Sequence, residues 1–223
     1  MADRARALVA RESRLRDVPG LPGVRLHLAD DVRETWRAVQ LATGDPDAPL
    51  PYWSVAWGGG LAIAHWLVEH PGAVAGRRVL DLAAGSGLCG VVAAQLGADR
   101  VRAVDIDPFA IAAIARNAQA NHVRVETLQR DVFDDEGPPA DTDVVLAGDC
   151  WYEPTLAARA LPWLQRAAAA GIDVIVGDPG RADLPEDALL SLATYQVRTT
   201  SDREDLRFET AGVYRLPGER RTL

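Results

Sequence analysis

Val79-Leu80-Asp81-Leu82-Ala83-Ala84-Gly85-Ser86-Gly87-Leu88-Cys89-Gly90 is an apolar run that breaks into glycines and resumes as apolar residues. The first part predicts a buried strand over 77–82, and the last opens a helix over 87–96. Gly85 and Gly87 let the backbone turn sharply and approach a ligand, and Gly90 permits close helix–strand packing. The alternation continues downstream. Strands are expected at 101–105, 123–128, 143–147 and 172–177, with helices at 108–120 (proline at its first turn) and 154–169. Strands alternating with helices of this length make βαβ units on a parallel sheet. The tail departs from the pattern: 193–200 and 206–216 read as two strands around the charged turn 201–205, an antiparallel hairpin. The fold class is therefore α/β, a doubly wound and mostly parallel sheet.

Upstream, apolar residues at helical spacing among arginines predict an amphipathic helix over 3–16. The Pro/Gly stretch 19–23 ends it, a short strand follows at 24–28, and Asp30 or Asp31 can cap a helix reaching Leu41. Residues 43–51 are turn-rich. Two units are expected: an N-terminal helical cover, 1–57, and a core, 58–223.

The chain's 223 residues fit one domain with a small appendage. Its 24 basic residues are all arginine, against 32 acidic ones, for a net charge of −8. That balance argues against broad nucleic-acid binding, which needs a basic face. No apolar run is long enough to span a membrane, and the arginine-rich start does not resemble a secretory signal. Cys89 and Cys150 do not form a disulfide framework, and the four histidines are scattered, so no metal site is expected. A cytoplasmic location follows from these readings.

Gly85-x-Gly87-x-x-Gly90 satisfies the dinucleotide fingerprint, with Asp105 about 20 residues on where a ribose-binding acid belongs. Asp81 weighs against a nicotinamide cofactor, because a carboxylate at the strand end would repel a pyrophosphate. S-adenosylmethionine instead carries an ammonium and a sulfonium, which that carboxylate would attract. The competing reading makes Asp81 a strand-end acid facing water. Asp105 should accept from both ribose hydroxyls, while Asp107 caps the helix starting at Pro108. Asp131 either accepts from the adenine amino group, with Val132 beside the ring, or is a simple turn acid.

These stretches resemble the seven-strand, S-adenosylmethionine-dependent methyltransferases over roughly residues 50–215: the loop 79–90, Asp105-Ile106-Asp107-Pro108 and Asp131-Val132-Phe133. A narrower likeness comes from Pro51-Tyr52-Trp53-Ser54-Val55-Ala56-Trp57-Gly58-Gly59, Gly148-Asp149-Cys150-Trp151-Tyr152 and Gly177-Asp178-Pro179-Gly180-Arg181. They resemble the lysine methyltransferases of the electron transfer flavoprotein beta subunit, within the branch marked by Asp-x-x-Tyr after the fourth strand, here Asp149 to Tyr152. The resemblance implies methyl transfer to a protein lysine, of that subunit or a ribosomal protein, with S-adenosylhomocysteine as product. It implies Trp57, Asp81, Gly85, Gly87, Asp105, Ile106, Asp131 and Val132 at the cofactor, and Trp53, Tyr152 and Arg181 at the acceptor. Two positions depart from the pattern: Gly58 follows Trp57 where relatives carry proline, and Ala84 stands where they often carry glycine or serine.

A lysine amine must be neutral to attack, and at pH 7 neutrality costs roughly 4.6 kcal/mol from an ordinary pKa near 10.4. An aromatic wall of Trp151, Tyr152 and Trp53 would lower that pKa by desolvation. Asp149 could orient the amine by accepting an N–H, although its charge favours the protonated form. Asp149, Tyr152 and Trp151 are thus the expected catalytic group. The alternative for Trp53 and Trp57 is packing under the sheet edge, and Trp66 and Trp163 read as core. Asp178-Pro179-Gly180 suits a tight turn. A small-molecule N-methyltransferase and a nicotinamide-dependent oxidoreductase are the alternative activities.

Overall fold

A computed structural model describes residues 1–135, 137–199 and 208–218. A seven-stranded sheet forms the centre, built from β3 (Arg78–Leu82), β4 (Arg100–Asp105), β5 (Glu126–Gln129), β6 (Val144–Gly148), β7 (Asp173–Asp178), β8 (Leu190–Arg198) and β9 (Phe208–Leu216). Their order is β5-β4-β3-β6-β7-β9-β8. The first five run parallel, and β9 lies antiparallel between β7 and β8. The expected doubly wound sheet and antiparallel tail are both present; the expected turn 201–205 lies outside the described residues. The strand expected at 123–128 is shorter and later, at β5.

Side-chain alternation along the strands assigns the two faces. Val79, Val101, Val144, Leu146 and Ile175 pack under α3 (Gly58–Glu69) and α4 (Leu88–Gln95). Leu80, Leu82, Val145, Ala147, Val174 and Val176 pack against α6 (Pro154–Ala169), which inserts Trp163. Trp66 and Trp163 are core, as their spacing predicts. Among the described residues no helix is long and apolar enough to cross a membrane.

In the N-terminal segment the strand expected at 24–28 is present, but it has a partner strand in place of the end of the first helix. The helix read at 3–16 stops early as α1 (Ala2–Glu12), and β1 (Ser13–Asp17) turns back to pair antiparallel with β2 (Arg25–Ala29). Ser13 Oγ donates to the Val9 carbonyl (2.5 Å), ending the helix where the apolar periodicity had suggested continuation. α2 (Val32–Thr43) starts at Asp31, whose carboxylate accepts the Arg33 and Glu34 amides, and ends at Gly44 in the left-handed region. β2 is fixed to α5 (Pro108–Ala120) by two asparagine side chains. Asn117 accepts from the His27 amide (2.6 Å), and Asn121 both accepts from and donates to Arg25 backbone (2.9 and 2.5 Å).

The amino ends of the parallel strands carry a lattice of arginine–carboxylate pairs. Arg78 grips Asp143 with a two-pronged fork (2.9 and 2.6 Å), and Arg102 grips Asp141 likewise (2.6 and 2.7 Å). Arg77 pairs with Asp173 (2.7 Å), and Arg100 with Glu126 (2.7 Å) and Asp141 (2.9 Å). The opposite, carboxyl ends are left for the site.

Candidate active site

Strand order reverses at β3, and open α/β sheets bind ligands there, outside the carboxyl ends. A cavity of about 230 Å³ occupies that position. It is lined by the loop Leu82–Ser86 after β3, by Asp105, Ile106 and Asp107 at the end of β4, by residues 130–133 beyond β5, and by Gly148, Asp149 and Tyr152 beyond β6. Leu50, Tyr52, Trp53 and Trp57 close it from the N-terminal side.

The β3 side is a bare backbone cradle. Gly85 (φ +53°) and Gly87 (φ +76°) are both left-handed, and a Cβ on Gly87 would stand 3.0 Å from Ile114. Asp105 secures this turn: one carboxylate oxygen accepts the Gly85 amide (2.8 Å) and the other the Asp107 amide (2.9 Å). It lines the cavity, and burial raises its pKa. Asp107 accepts the Phe109 amide (2.8 Å), the cap its sequence context predicts, and burial lifts it to about 6. Beyond β5, Val132 and Phe133 form an apolar wall facing the exposed Ile106. Asp131 lines the cavity, but its carboxylate already accepts from Phe133 (3.1 Å) and Arg159 (2.8 Å), so it also makes the turn that the alternative reading described. Asn117, which sequence reasoning missed, donates to the Ser86 carbonyl (2.8 Å) and so ties the glycine loop to α5. Its signal was an asparagine inside an alanine-rich helix, with a second four residues on at the helix end.

Asp81 is corrected. It is 2% exposed and does not line the cavity. As the penultimate residue of β3 it projects from the sheet face shared with Val79, beneath α4, where it accepts the Gly90 amide (2.8 Å). Burial without a cation raises its pKa to about 8. It staples the helix and does not offer charge to a ligand.

The β6 side is assembled from distant segments. Asp149, the first residue past β6, has φ +58°, a left-handed turn that aims its carboxylate off the strand end. Oδ1 accepts the Gly59 amide (3.1 Å) and Arg181 Nη1 (2.8 Å); Oδ2 accepts the Gly60 amide (2.8 Å). The carboxylate therefore sits on the amino terminus of α3. Glycine is required for that approach: a Cβ on Gly59 would lie 2.2 Å from the Gly177 carbonyl oxygen, and one on Gly148 would lie 3.0 Å from Gly60 backbone. Arg181 also pairs with buried Asp178 (2.7 Å), which accepts the Gly180 and Arg181 amides as a tight turn should. Tyr152, 41% exposed, packs against Tyr52 with ring centroids 4.6 Å apart and the planes tilted by 39°. Trp57 donates its indole N–H to the Tyr52 carbonyl (2.8 Å), fixing that turn.

Two aromatic assignments change. Trp151 is 1% exposed in the core beside α6 and does not line the cavity, because the residue after Asp149 and Cys150 turns back under the sheet. Trp53 touches the cavity wall but is wholly buried against Leu8, Val9 and Phe109, so packing is its dominant role. Tyr52 takes the place these tryptophans were expected to fill. It lay within the quoted Pro51–Gly59 stretch, yet nothing local separated it from its neighbours.

The residues present fit S-adenosylmethionine: a bare glycine turn, a pinned carboxylate at the second strand end and an apolar slot beyond it. Comparison with known proteins agrees. The family model for ribosomal protein L11 methyltransferases matches residues 67–148. An electron transfer flavoprotein beta subunit lysine methyltransferase of Xenopus laevis is 31% identical over 216 residues, covering 94% of this chain and 85% of that protein. One from Danio rerio is 35% identical over 173 residues, covering 75% of this chain and 66% of that protein. A candidate RNA methyltransferase of Pyrococcus horikoshii shares the fold with a TM-score of 0.58 at 18% identity, over 77% of this chain and 90% of that one. The magnesium protoporphyrin IX methyltransferase of Synechocystis with S-adenosylmethionine bound gives 0.50 at 16%, over 81% and 88%. The dinucleotide reading of the glycine loop is thereby set aside. The chain belongs to the electron transfer flavoprotein beta subunit lysine methyltransferase family, and is an S-adenosylmethionine-dependent methyltransferase.

Proposed function

We propose that the chain methylates a protein lysine side chain, with the beta subunit of electron transfer flavoprotein as the first acceptor to test. The observation that carries this reading is that Asp149, Tyr152 and Tyr52 line the same cavity that Gly85 and Asp105 line from the other side of the strand switch. The named relatives that extend across both sides act, by name, on that subunit's lysine. The family model for ribosomal protein L11 methyltransferases matches residues 67–148, which supports the donor side. A Bordetella parapertussis enzyme of that name is 33% identical over 132 residues, 59% of this chain, so a ribosomal protein is the second acceptor to test.

S-adenosylmethionine, when bound, supplies a methyl carbon made electrophilic by its sulfonium. This chain's residues supply the rest. Tyr52 and Tyr152 present an apolar ring pair that strips water from an incoming side chain and favours its neutral form. Asp149 accepts an N–H and aligns the nitrogen lone pair. Together the ring pair and Asp149 would hold the neutral nitrogen facing the methyl group that the donor supplies. Burial raises the Cys150 thiol, and no covalent intermediate is needed, so alignment supplies the rate. Residues 1–57 serve as a cover, since Leu50, Tyr52, Trp53 and Trp57 all close the cavity.

The test is incubation with methyl-labelled donor and purified beta subunit, followed by mass spectrometry of tryptic peptides. Label on lysine is expected. Label on small amines with none on any protein would overturn the reading in favour of a small-molecule N-methyltransferase.

A further inference from the structure

A bare carboxylate beside the acceptor works against the reaction, because it stabilises the ammonium that must lose its proton before attack. Asp149 is not bare. Three donors already occupy it: the Gly59 and Gly60 amides at the positive end of α3, and the guanidinium of Arg181 at 2.8 Å. Arg181 is itself held, since its Nη1 also contacts Asp178 at 2.7 Å and Asp178 is wholly buried. Arg181 lines the cavity together with Asp149 and Tyr152, so its charge is presented to whatever amine enters.

Resting on the lysine reading above, we infer that Arg181 is a positioning residue whose charge compensates Asp149. It lets the carboxylate orient the acceptor amine without holding the amine's extra proton. Orientation and deprotonation make opposite demands on one carboxylate, and a fixed cation on Oδ1 reconciles them.

The other groups around the pair are consistent with this. Asp178 faces it from β7 and shares the same guanidinium, so one cation offsets part of the combined charge of two carboxylates. Glu209, on β9, is half-buried, and burial together with Asp149 raises its pKa. The thiols of Cys89 on α4 and of Cys150 are raised by burial, as are the phenols of Tyr52 and Tyr152, so these four stay neutral at physiological pH. Arg181 is thus the cation of the acceptor side among the described groups interacting with Asp149.

The experiment is the pH profile of kcat with the beta subunit as acceptor, whose ascending limb reports deprotonation in the ternary complex. In the unaltered enzyme the limb should lie below lysine's ordinary value near 10.4. In Arg181→Gln it should move up by at least about one pH unit, a roughly tenfold loss at pH 7 that is recovered above pH 9.5. Arg181→Lys, which keeps the charge, should leave the limb in place even where kcat falls. A thermal shift with S-adenosylhomocysteine establishes that each variant is folded. A folded Arg181→Gln enzyme whose limb does not move, or whose activity is not recovered at high pH, overturns the inference; so does an Arg181→Lys limb that moves as far. If Arg181→Gln does not fold, Arg181→Met, which keeps the apolar stem and removes the charge, takes its place, with the same shift expected and an unmoved limb overturning the inference. Absence of any lysine methylation by the unaltered enzyme is a different result, and it sinks the proposed function instead.

Discussion

Asp81 and Asp149 are aspartates at neighbouring strands, the first buried and the second partly so, each accepting backbone amides from the first turn of a helix. One is sealed and the other faces the cavity. The difference is a matter of two or three residues in register. Asp81 lies inside β3, so the pleat sends its side chain into the sheet face under α4. Asp149 lies just past the end of β6 in a left-handed turn, so its side chain leaves along the strand direction and meets Arg181. Residue type and the presence of a nearby helix do not separate a structural carboxylate from a chemical one. Position relative to the strand's last pleat does.

The strongest way to break this contrast is to unseat Asp149. Gly59→Ala places a Cβ 2.2 Å from the Gly177 carbonyl oxygen and 2.8 Å from Asp149 Oδ2, so it collides with backbone and with the carboxylate at once. The expected loss is about 3 kcal/mol or more of stability, read by urea unfolding. Asp149→Ala leaves Arg181 and two amides without their shared partner; a loss of about 3 kcal/mol is expected in the same measurement, together with loss of turnover. Asp105 tests an intermediate case, pinned by amides yet open to the cavity. Its replacement by alanine should weaken S-adenosylhomocysteine binding by ~30-fold, about 2 kcal/mol by calorimetry. Asp81 should respond in the opposite sense. Its folded-state pKa of about 8 lies above the ordinary carboxylate value, so the folded protein binds the proton more tightly than the unfolded chain. Stability therefore falls as pH rises from about 4 to about 8 on account of this group. Asp81→Asn should remove that slope and raise stability by about 1 kcal/mol at pH 8.5, measured as Tm against pH without cofactor. A destabilised Asp81→Asn protein at that pH would show that the folded state favours the ionised carboxylate, and would overturn the raised value.

The same contrast marks what could be read from the chain alone. The donor side is nearly contiguous: one turn contributes Gly85 and Gly87, and Asp105 ends the next strand. Spacing and residue type located it, although Asp81 favoured the correct cofactor on an argument its own geometry does not support. The acceptor side brings together Tyr52, Gly59, Asp149 and Arg181 from four separate segments. Only the family likeness had pointed to it, and it could not distinguish the cavity-facing Tyr152 from the buried Trp151 one residue earlier. The β1–β2 hairpin was missed for a related reason. β1 carries alternating arginines with little apolar pattern, and its partner β2 is held by asparagines on α5 that no local rule connects to it.

The arginine forks at the amino ends of the strands have a consequence for how this protein can change. Arg78 with Asp143 and Arg102 with Asp141 clamp adjacent segments at the base of the sheet, far from the cavity at the other end. Strand registration and substrate choice are thus assigned to opposite poles of the molecule. Loops at the cavity pole can be rewritten, by drift or by design, while the clamped pole continues to hold the strands in order.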